Sequence, residues 1–330
     1  MLTRVVASGM TGTGTEGDHP GVSVIMPCYN SAAFIAQGVC SVLEQSHRDL
    51  ELIVVNDGST DASPDILRGI SDPRLKVITQ PNKGVLAARN RGLAEARGDY
   101  IAFLDADDEW REDFLEKMLA ALVARPDAAL AYCGWQNVGL PGARANPFVP
   151  PDYENEQKVE KLLWECRWPI HAVLVRRTFI AAAGGFDETI RTAEDYWLWL
   201  RIAPQNPVVR VPEVMSYYHH HGNQRSTAKN LLQKGLDRWQ IRRAFVARYP
   251  ECVAHLTPAR VRELTHGRLL DWGFKCYWQR ELGAAHPIFR RLMRERYGKP
   301  RDWLYMLPAL LPLRWYERLV RLRDRTKDRV

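Results

Sequence analysis

The chain has 330 residues, which is long enough to bury a full core and to carry one large domain with an appendage. With 46% hydrophobic and 26% charged residues it has the composition of an ordinary soluble globular protein. Its formal net charge of +7 comes from residues 286–330, which hold 13 Lys or Arg against 5 Asp or Glu. The rest of the chain has no basic surplus, and this excludes nucleic acid as an expected partner.

The cysteines and the N-terminal residues indicate the cellular compartment in which the protein is expected. The six cysteines form no Cys-x-x-Cys pair, which argues against a zinc site or a disulfide framework and favours a reducing cytoplasm. Residues 1–20 are rich in Gly and Thr and lack the apolar core of a signal peptide, so we expect them to be disordered. No apolar run reaches the ~20 residues that span a bilayer. The expected location is cytoplasmic, either free or peripheral on the cytoplasmic face of the inner membrane.

Strands and helices alternate along the first 133 residues. The intervening segments place apolar residues at helical spacing, as in the helix that contains Ile35, Val39 and Val42. This alternation predicts an α/β fold with a mostly parallel, Rossmann-like sheet flanked by helices. The predicted strands are Val22–Met26, Glu51–Val55, Leu75–Thr79, Asp99–Leu104 and a segment near Ala128–Cys133.

Three of these strands end in polar clusters, namely Tyr29-Asn30, Asn56-Asp57 and 105–108. Ligands of open α/β sheets bind beyond the carboxyl ends of the strands, so the clusters should share one crevice. A nucleotide site is the natural interpretation. Because the chain has neither a G-x-G-x-x-G fingerprint nor a Walker A loop, a dinucleotide dehydrogenase and a P-loop enzyme are both disfavoured.

The third cluster, Asp105-Ala106-Asp107-Asp108, follows the stretch GDYIAFL. Three carboxylates in four residues repel one another, and burying them unpaired is costly. A divalent cation would remove that cost, and carboxylate oxygens suit Mg²⁺ or Mn²⁺. The alternative is that Asp107 and Asp108 only begin the next helix, where acidic residues are common.

The second half of the chain adds a candidate base. Residues Gly139–Pro151 are predicted to form a loop over the site, and Arg177–Ala183 a helix that Gly184-Gly185 ends. Asp195 begins a further helix whose Trp197 and Leu198 anchor it in the core. A carboxylate held rigidly in this way can act as a general base. The alternative role of Asp195 is that of an N-cap.

The remaining predicted elements are a helix at Val159–Cys166 and strands at His171–Val175, Val208–Val211 and Val214–Tyr218.

Three successive histidines, His219, His220 and His221, follow the last predicted strand. Side chains alternate along a strand, so at most His219 and His221 share a face. One of the three could offer a neutral nitrogen to a metal ion, and a solvated loop histidine is the alternative for each.

Taken in chain order, these motifs resemble family 2 of the glycosyltransferases, inverting enzymes with a GT-A fold that use nucleotide diphosphate sugars. The resemblance covers about residues 21–226, and the ordered conjunction of the motifs favours the metal and base interpretations over their alternatives. The motifs are Pro27-Cys28-Tyr29-Asn30, Asn56-Asp57-Gly58-Ser59-Thr60-Asp61, Asn82-Lys83-Gly84 with Ala88-Arg89-Asn90, Leu104-Asp105-Ala106-Asp107-Asp108, Gly184-Gly185-Phe186-Asp187 and Glu194-Asp195.

The resemblance implies a donor site, most often for a UDP-sugar. Pro27 and Tyr29 would line the base pocket, Tyr29 offering a face for stacking. Asp57 would accept a hydrogen bond from the base. Lys83 and Arg89 would approach the nucleotide or its phosphates, a role suited to cations. The full donor-binding set is Pro27, Tyr29, Asn30, Asp57, Lys83, Arg89 and Asp105.

The resemblance also implies the chemistry. Asp105 and Asp107 would hold Mn²⁺ or Mg²⁺ at the donor diphosphate, and His221 fits best as a further ligand because Gln224 and Ser226 follow it at the family's offsets. Asp195, with Glu194 beside it, would take the proton of the acceptor hydroxyl. The sugar and acceptor would face Trp110, Gly185, Phe186 and Asp187.

The expected function is non-processive transfer of one sugar to a cell-surface glycan or its lipid-linked precursor. A processive polysaccharide synthase is the first alternative, but the chain lacks the Gln-x-x-Arg-Trp motif and the membrane spans of such enzymes. The second is an inactive scaffold that binds sugar nucleotides, which retention of Asp107 and Asp195 argues against.

The domain boundaries expected from these patterns are a disordered segment 1–20, a GT-A unit 21–230 and a helical extension 231–330. In the extension, Arg314, Arg318, Arg321 and Arg325 fall on one helical stripe, away from residues such as Trp315 and Leu319. Such a helix can lie in a membrane interface, which would make residues 301–330 a peripheral membrane contact. The alternative is that its apolar side packs on the catalytic unit or on a second copy in a homodimer.

Overall fold

The computed structural model describes residues 20–190, 192–221 and 231–327, with side chains described to residue 323. Nearly all of the segment predicted to be disordered, and residues Gln224, Ser226 and Arg325 of the predicted motifs, therefore lie outside the described residues or side chains. The strands are β1 (Val22–Cys28), β2 (Leu50–Asp57), β3 (Leu75–Gln80), β4 (Tyr100–Phe103), β5 (Glu109–Trp110), β6 (Leu130–Val138), β7 (Val173–Arg176) and β8 (Val208–His219).

Helices of the N-terminal unit cover the sheet, and a further set forms the C-terminal extension. In the first unit they are α1 (Ile35–Leu43), α2 (Ser63–Arg68), α3 (Val85–Glu95), α4 (Phe114–Ala124), α5 (Lys158–Trp164), α6 (Arg177–Ala183) and α7 (Glu194–Ile202). In the extension they are α8 (Leu231–Arg248), α9 (Pro250–Val253), α10 (Pro258–Arg262), α11 (Arg268–Trp278), α12 (Leu282–Arg294), α13 (Pro300–Met306) and α14 (Leu313–Lys327).

The eight described strands form one sheet in the order β3-β2-β1-β4-β7-β6-β8-β5. The predicted parallel arrangement holds for β3, β2, β1 and β4. Beyond β4 the sheet is mixed, because β7 runs antiparallel to both β4 and β6, β8 is parallel to β6, and β5 is antiparallel to β8. The carboxyl ends of β1, β2 and β4 therefore meet at one edge, as the polar clusters predicted.

One predicted boundary in this half is wrong. Val208–Val211 and Val214–Tyr218 are not two strands but the single strand β8, interrupted by a bulge. Val211 pairs with Cys133 and Val214 with the next residue of β6, Gly134. Pro212 lies in the extra segment, where its missing N–H breaks no ladder hydrogen bond.

The core has two layers because side chains of the central strands alternate between the faces of the sheet. From β1, Ile25 packs into the layer that contains α3 and α7, whereas Val24 and Met26 pack against α1 and α4. The helices on the two faces bury these apolar strands from water, which confirms the predicted α/β fold.

The extension is helical, as predicted, and has a core of its own around Ile288, Phe289 and Tyr316. Its first helix, α8, contributes Ile241 and Phe245 to the core layer under α7, so the extension is packed on the catalytic unit. No helix among the described residues is both long enough and apolar enough to cross a membrane.

Candidate active site

The loops after β1 and β2 are tied together by polar contacts. Asn30 adopts a positive φ of 50°, its Oδ1 accepts from the Thr60 N–H at 2.8 Å, and its own N–H donates to Ser59 Oγ at 3.0 Å. Asp61 Oδ2 accepts from the Ala32 N–H at 2.9 Å. These bonds leave the Tyr29 ring 51% exposed at the rim of the crevice. The predicted contact of Tyr29 with a base stays a prediction.

Asp57 is the buried carboxylate that shapes the next loop. Its Oδ1 accepts from the Lys83 N–H at 2.9 Å and from Gln80 Nε2 at 2.8 Å, and its Oδ2 from the Gly84 N–H at 2.8 Å. Gly84 has a φ of 90°, which favours glycine. A carboxylate has about four acceptor sites, so Asp57 retains one for a ligand while it holds the exposed Lys83 in place.

The acid cluster lies at the end of β4. Asp108 is 1% exposed, and its Oδ1 accepts from the His219 N–H at 3.0 Å. Within the described residues its Oδ2 has no hydrogen-bond partner. Burial and the charges of Asp105 and Asp107 raise the pKa of Asp108 to about 9. Burial and the two neighbouring carboxylates therefore favour the neutral form of Asp108, and a cation bound beside them would favour its ionised form.

The three histidines have different partners. His219 Nε2 lies 2.7 Å from Glu109 Oε1, and His220 Nε2 lies 2.9 Å from Asn137 Oδ1. His221 Nε2 lies 3.9 Å from Asp107 Oδ2, and its ring stacks on Phe34 with 3.7 Å between the ring centroids. Of the three, His221 is thus the one that the structure places beside Asp107.

Asp107 and His221 are side chains at this edge of the sheet that could hold a metal ion. No group of three or more His, Cys, Asp or Glu side chains with metal-binding geometry occurs among the described residues. The buried Nε2 of His221 makes no hydrogen bond within them, and it faces the carboxylate of Asp107. Mg²⁺ is commonly held by one or two carboxylates together with substrate phosphates, so this pair fits a cation that binds with a nucleotide diphosphate.

Asp195 lies in the first turn of α7 and is held by the buried side chains that follow it. The N-cap of α7 is Ala193, with a φ of 61° and no side-chain cap, so the alternative role of Asp195 as an N-cap is wrong. Asp195 Oδ1 accepts from the Tyr196 N–H at 2.7 Å. Burial and the neighbouring charge of Glu194 raise the pKa of Asp195 to about 6, although Arg238 and Arg89 oppose the shift.

Arg89 links the acid cluster to the catalytic helix. Its guanidinium is 3% exposed, donates to Asp105 Oδ1 at 2.7 Å and to Glu194 Oε1 at 3.3 Å, and lies over the Phe186 ring. Burial alone would lower its pKa, but the charges of Asp105 and Glu194 outweigh that effect and raise it. Its described partners are protein carboxylates, which it holds at a fixed separation, and it lines the cavity between the acid cluster and α7. A contact of Arg89 with the donor stays a prediction.

A cavity of about 360 Å³ lies between the acid cluster and α7. Asp105, Glu194 and Asp195 line it together. Several other residues that line the cavity carry no recognisable motif, because they become neighbours only through pairing of β6, β7 and β8. His171 is one of these, and burial lowers its pKa to about 4, so it is neutral at physiological pH. The others are Trp135, Asn137, Pro169, Ile170 and Tyr218.

The residues predicted to face the sugar lie at different depths. Trp110 is buried, stacks on Phe114 and donates its indole N–H to the His171 carbonyl at 2.6 Å, so it lies beneath the cavity. Phe186 is also buried, against Phe103. Gly185 has a φ of 68°. Asp187 is partly exposed to solvent, and its Oδ1 accepts a hydrogen bond from the Thr189 hydroxyl. A sugar contact by any of them stays a prediction.

Solved structures share this architecture. The fold matches a structure of S. aureus TarS in complex with UDP-GlcNAc, with a TM-score of 0.56, 17% identity and 92% coverage of both chains. It also matches mannosyltransferase PcManGT from Pyrobaculum calidifontis in complex with GDP-Man and Mn²⁺, with a TM-score of 0.56, 20% identity, and coverage of 92% of this chain and 84% of that one. The fold is therefore the GT-A fold of glycosyltransferases.

Sequence relatives define the family. The profile of glycosyl transferase family 2 matches residues 23–177. The Escherichia coli UDP-Glc:alpha-D-GlcNAc-diphosphoundecaprenol beta-1,3-glucosyltransferase WfgD is 31% identical over 228 residues, which cover 68% of this chain and 86% of WfgD. The putative teichuronic acid biosynthesis glycosyltransferase TuaG of Bacillus subtilis is 41% identical over 133 residues, or 39% of this chain and 52% of TuaG. The chain belongs to glycosyl transferase family 2, as the motifs predicted, and is a glycosyltransferase.

Proposed function

We propose that this enzyme transfers one sugar, with inversion, from a nucleotide diphosphate sugar to a hydroxyl of a cell-envelope glycan or its lipid-linked precursor. UDP-sugars are the first candidates, since WfgD is named for UDP-Glc. WfgD is also named for a diphosphoundecaprenol-linked acceptor, and TuaG for teichuronic acid biosynthesis. The observation that carries the proposal is that Asp195 and Asp105 line one cavity, with Arg89 bridging the two walls.

The steps follow from the positions of the side chains. The acceptor hydroxyl oxygen forms the new bond to the anomeric carbon while the bond to the diphosphate oxygen breaks, and the nucleoside diphosphate leaves with that electron pair. Asp195 takes the hydroxyl proton, which requires its ionised form. Asp107 and His221 would hold a Mn²⁺ or Mg²⁺ ion, which when bound neutralises charge on the leaving diphosphate. Arg89 fixes the positions of Asp105 and Glu194.

The proposal is tested by incubating the protein and Mn²⁺ with UDP-Glc, UDP-GlcNAc, UDP-Gal or GDP-Man and a short alkyl glycosyl diphosphate acceptor. We expect one donor to give a product that carries a single added sugar, of inverted anomeric configuration by NMR. Thermal stabilisation by a donor with no transfer to any acceptor would favour the inactive scaffold. Repeated additions would favour a processive synthase.

The surface of the extension supports a peripheral membrane contact. Tyr316 and Val320 of α14 are buried within the core of the extension, so part of the apolar side packs on the extension itself. Packing on the catalytic unit or on a second copy stays the untested alternative. Eight other large apolar side chains within the described part of residues 304–322 remain exposed, beside Arg314, Arg318 and Arg321: they are Leu304, Leu307, Leu310, Leu311, Leu313, Trp315, Leu319 and Leu322. An apolar surface with adjacent arginines matches an anionic bilayer surface. We propose that this surface contacts the membrane.

For this contact we expect the double substitution Trp315→Glu and Leu322→Glu to weaken binding to phosphatidylglycerol vesicles by at least about tenfold, because each apolar side chain is worth roughly 1.5–3 kcal/mol when buried. Co-sedimentation measures the effect. Val123→Glu is the matched control, since Val123 is equally exposed but lies on α4 of the catalytic unit. Unchanged binding to the vesicles would contradict the membrane contact. A dimer in light scattering that the double substitution dissociates would assign the surface to a second copy instead.

A further inference from the structure

A second cleft lies where the extension meets the catalytic unit. It has a volume of about 170 Å³, and its charged walls are Arg238 and Arg242 of α8, Arg268, Asp271 and Lys275 of α11, and Glu165 at the end of α5. We call it the basic cleft. A smaller cavity of about 30 Å³, with room for about one water, shares Glu165, Arg238 and Arg242 with it and is also lined by Asp195.

Close packing of two helices creates this cleft. At Gly235 of α8 an added Cβ would lie 2.4 Å from Cδ1 of Trp272 on α11, a distance that no real contact allows. Glycine therefore lets α8 and α11 approach closely enough for their basic side chains to face the same space. Lys275 lies over the Trp272 ring, with its Nζ 5.0 Å from the ring centroid.

The cleft carries excess positive charge. Arg242 is 4% exposed and donates to the carbonyls of Leu163 at 2.6 Å and Trp164 at 3.2 Å, which are neutral acceptors. No carboxylate lies within ion-pair distance of Arg238, Arg242 or Lys275 among the residues that the structure describes. Arg268 pairs with Asp271 at 3.1 Å. The four basic side chains of the cleft outnumber its two carboxylates, Glu165 and Asp271, and guanidinium groups suit phosphate oxygens, so the cleft favours the binding of an anion.

The position of the cleft suggests which anion binds. Asp195 lines the donor-side cavity together with Asp105, and it lines the small cavity together with Arg238. The basic cleft shares Glu165, Arg238 and Arg242 with that small cavity, so Asp195 lies between the donor-side cavity and the basic side chains.

We propose that the basic cleft binds the phosphate or diphosphate to which the acceptor sugar is attached. The inference rests on the proposed function and specifies its acceptor as a glycosyl phosphate or diphosphate. Phosphate oxygens are equally offered by the headgroups of anionic lipids. We assign the cleft to the acceptor because it shares three walls with the small cavity that Asp195 lines, and the lipid headgroup becomes an outcome of the test.

The test compares two acceptors, a short alkyl N-acetylglucosaminyl diphosphate and the alkyl glycoside of the same sugar without phosphate. We expect Arg238→Gln and Lys275→Gln each to raise KM for the diphosphate acceptor about tenfold or more, since a hydrogen bond to a charged group is lost. The KM for the neutral glycoside should not change in Lys275→Gln. Arg238→Gln also removes a charge that lowers the pKa of Asp195, so it should in addition lower kcat with both acceptors. Arg248→Gln is the matched control, with the same loss of charge on the exposed side of α8.

Calorimetric titration of the diphosphate acceptor without donor gives a second readout that does not require turnover. Tight binding by the wild type that is lost in both variants would support the cleft even if no transfer were found, so the two proposals can fail separately. An equal rise in KM for both acceptors in Lys275→Gln would overturn the inference, as would weaker donor binding in Arg238→Gln, which would place the donor phosphates there. Loss of vesicle binding with an unchanged acceptor preference would assign the cleft to a lipid headgroup.

Discussion

The Asp195→Asn enzyme should turn over roughly 10²–10⁴-fold more slowly than the wild type. The amide keeps the shape of the side chain and the hydrogen bond from the Tyr196 N–H but cannot take a proton. Donor affinity should be nearly unchanged, since Asp195 lies on the α7 side of the cavity, away from the acid cluster. Single-turnover kinetics and donor calorimetry measure the two quantities separately. Loss of donor binding would show that Asp195 has a different role.

The pH profile provides a sharper test of the same residue. Because the base acts when ionised and its pKa is about 6, activity should rise with pH through about 6 and level off above it. The groups that face Asp195 are Glu194, Arg238, Arg89 and Cys166, of which Glu194 raises its pKa and the arginines lower it. The limb near pH 6 should be absent from the residual activity of Asp195→Asn. Asp65→Asn, a change of an exposed carboxylate, should leave the profile intact.

Replacing Asp107 by Ala should abolish transfer and weaken binding of the nucleoside diphosphate at least ~10–100-fold, the usual consequence of losing a metal ligand or its supporting shell. The physical reason is that Asp107 and His221 would together hold the cation that binds the diphosphate. Calorimetry with UDP and Mn²⁺ measures the affinity, and added EDTA should reproduce the defect in the wild type.

Two comparisons isolate the metal from the rest of the site. His221→Ala should show part of the same defect, whereas His47→Ala, a histidine on the loop before β2, should show none. Binding of the nucleoside uridine, which has no phosphates, should be unaffected by Asp107→Ala. Full transfer in EDTA, or full activity of Asp107→Ala, would contradict the assignment.

The sequence alone determined the half of the sheet that runs from β1 to β4. Its strands are apolar runs, its helices carry apolar residues at helical spacing, and the polar residues that follow β1, β2 and β4 occur directly where each strand ends. These signals are local to each segment, so they predict its secondary structure without knowledge of its tertiary contacts. The same locality made Asp57, Asp107 and Asp195 recognisable as candidate site residues.

The other half of the sheet was decided by tertiary structure. The antiparallel position of β7 between β4 and β6, and the union of two predicted strands into β8 through the bulge at Pro212, depend on pairings between distant segments. Alternation of side chains separates His220 from His219 and His221, but only the folded chain decides that His219 pairs with Glu109 while His221 lies beside Asp107.

Arg89 illustrates the physical reason most clearly. The sequence motifs place it at the donor site, which stays a prediction, but they do not indicate that its guanidinium bridges Asp105 and Glu194, the latter 105 residues away. The basic cleft likewise needs the packing of α8 on α11 and of both against the end of α5. Local periodicity encodes which face of a helix or strand is buried. It does not encode which buried charges meet, because the free energy of such a pair depends on the distance and burial that only the folded chain sets.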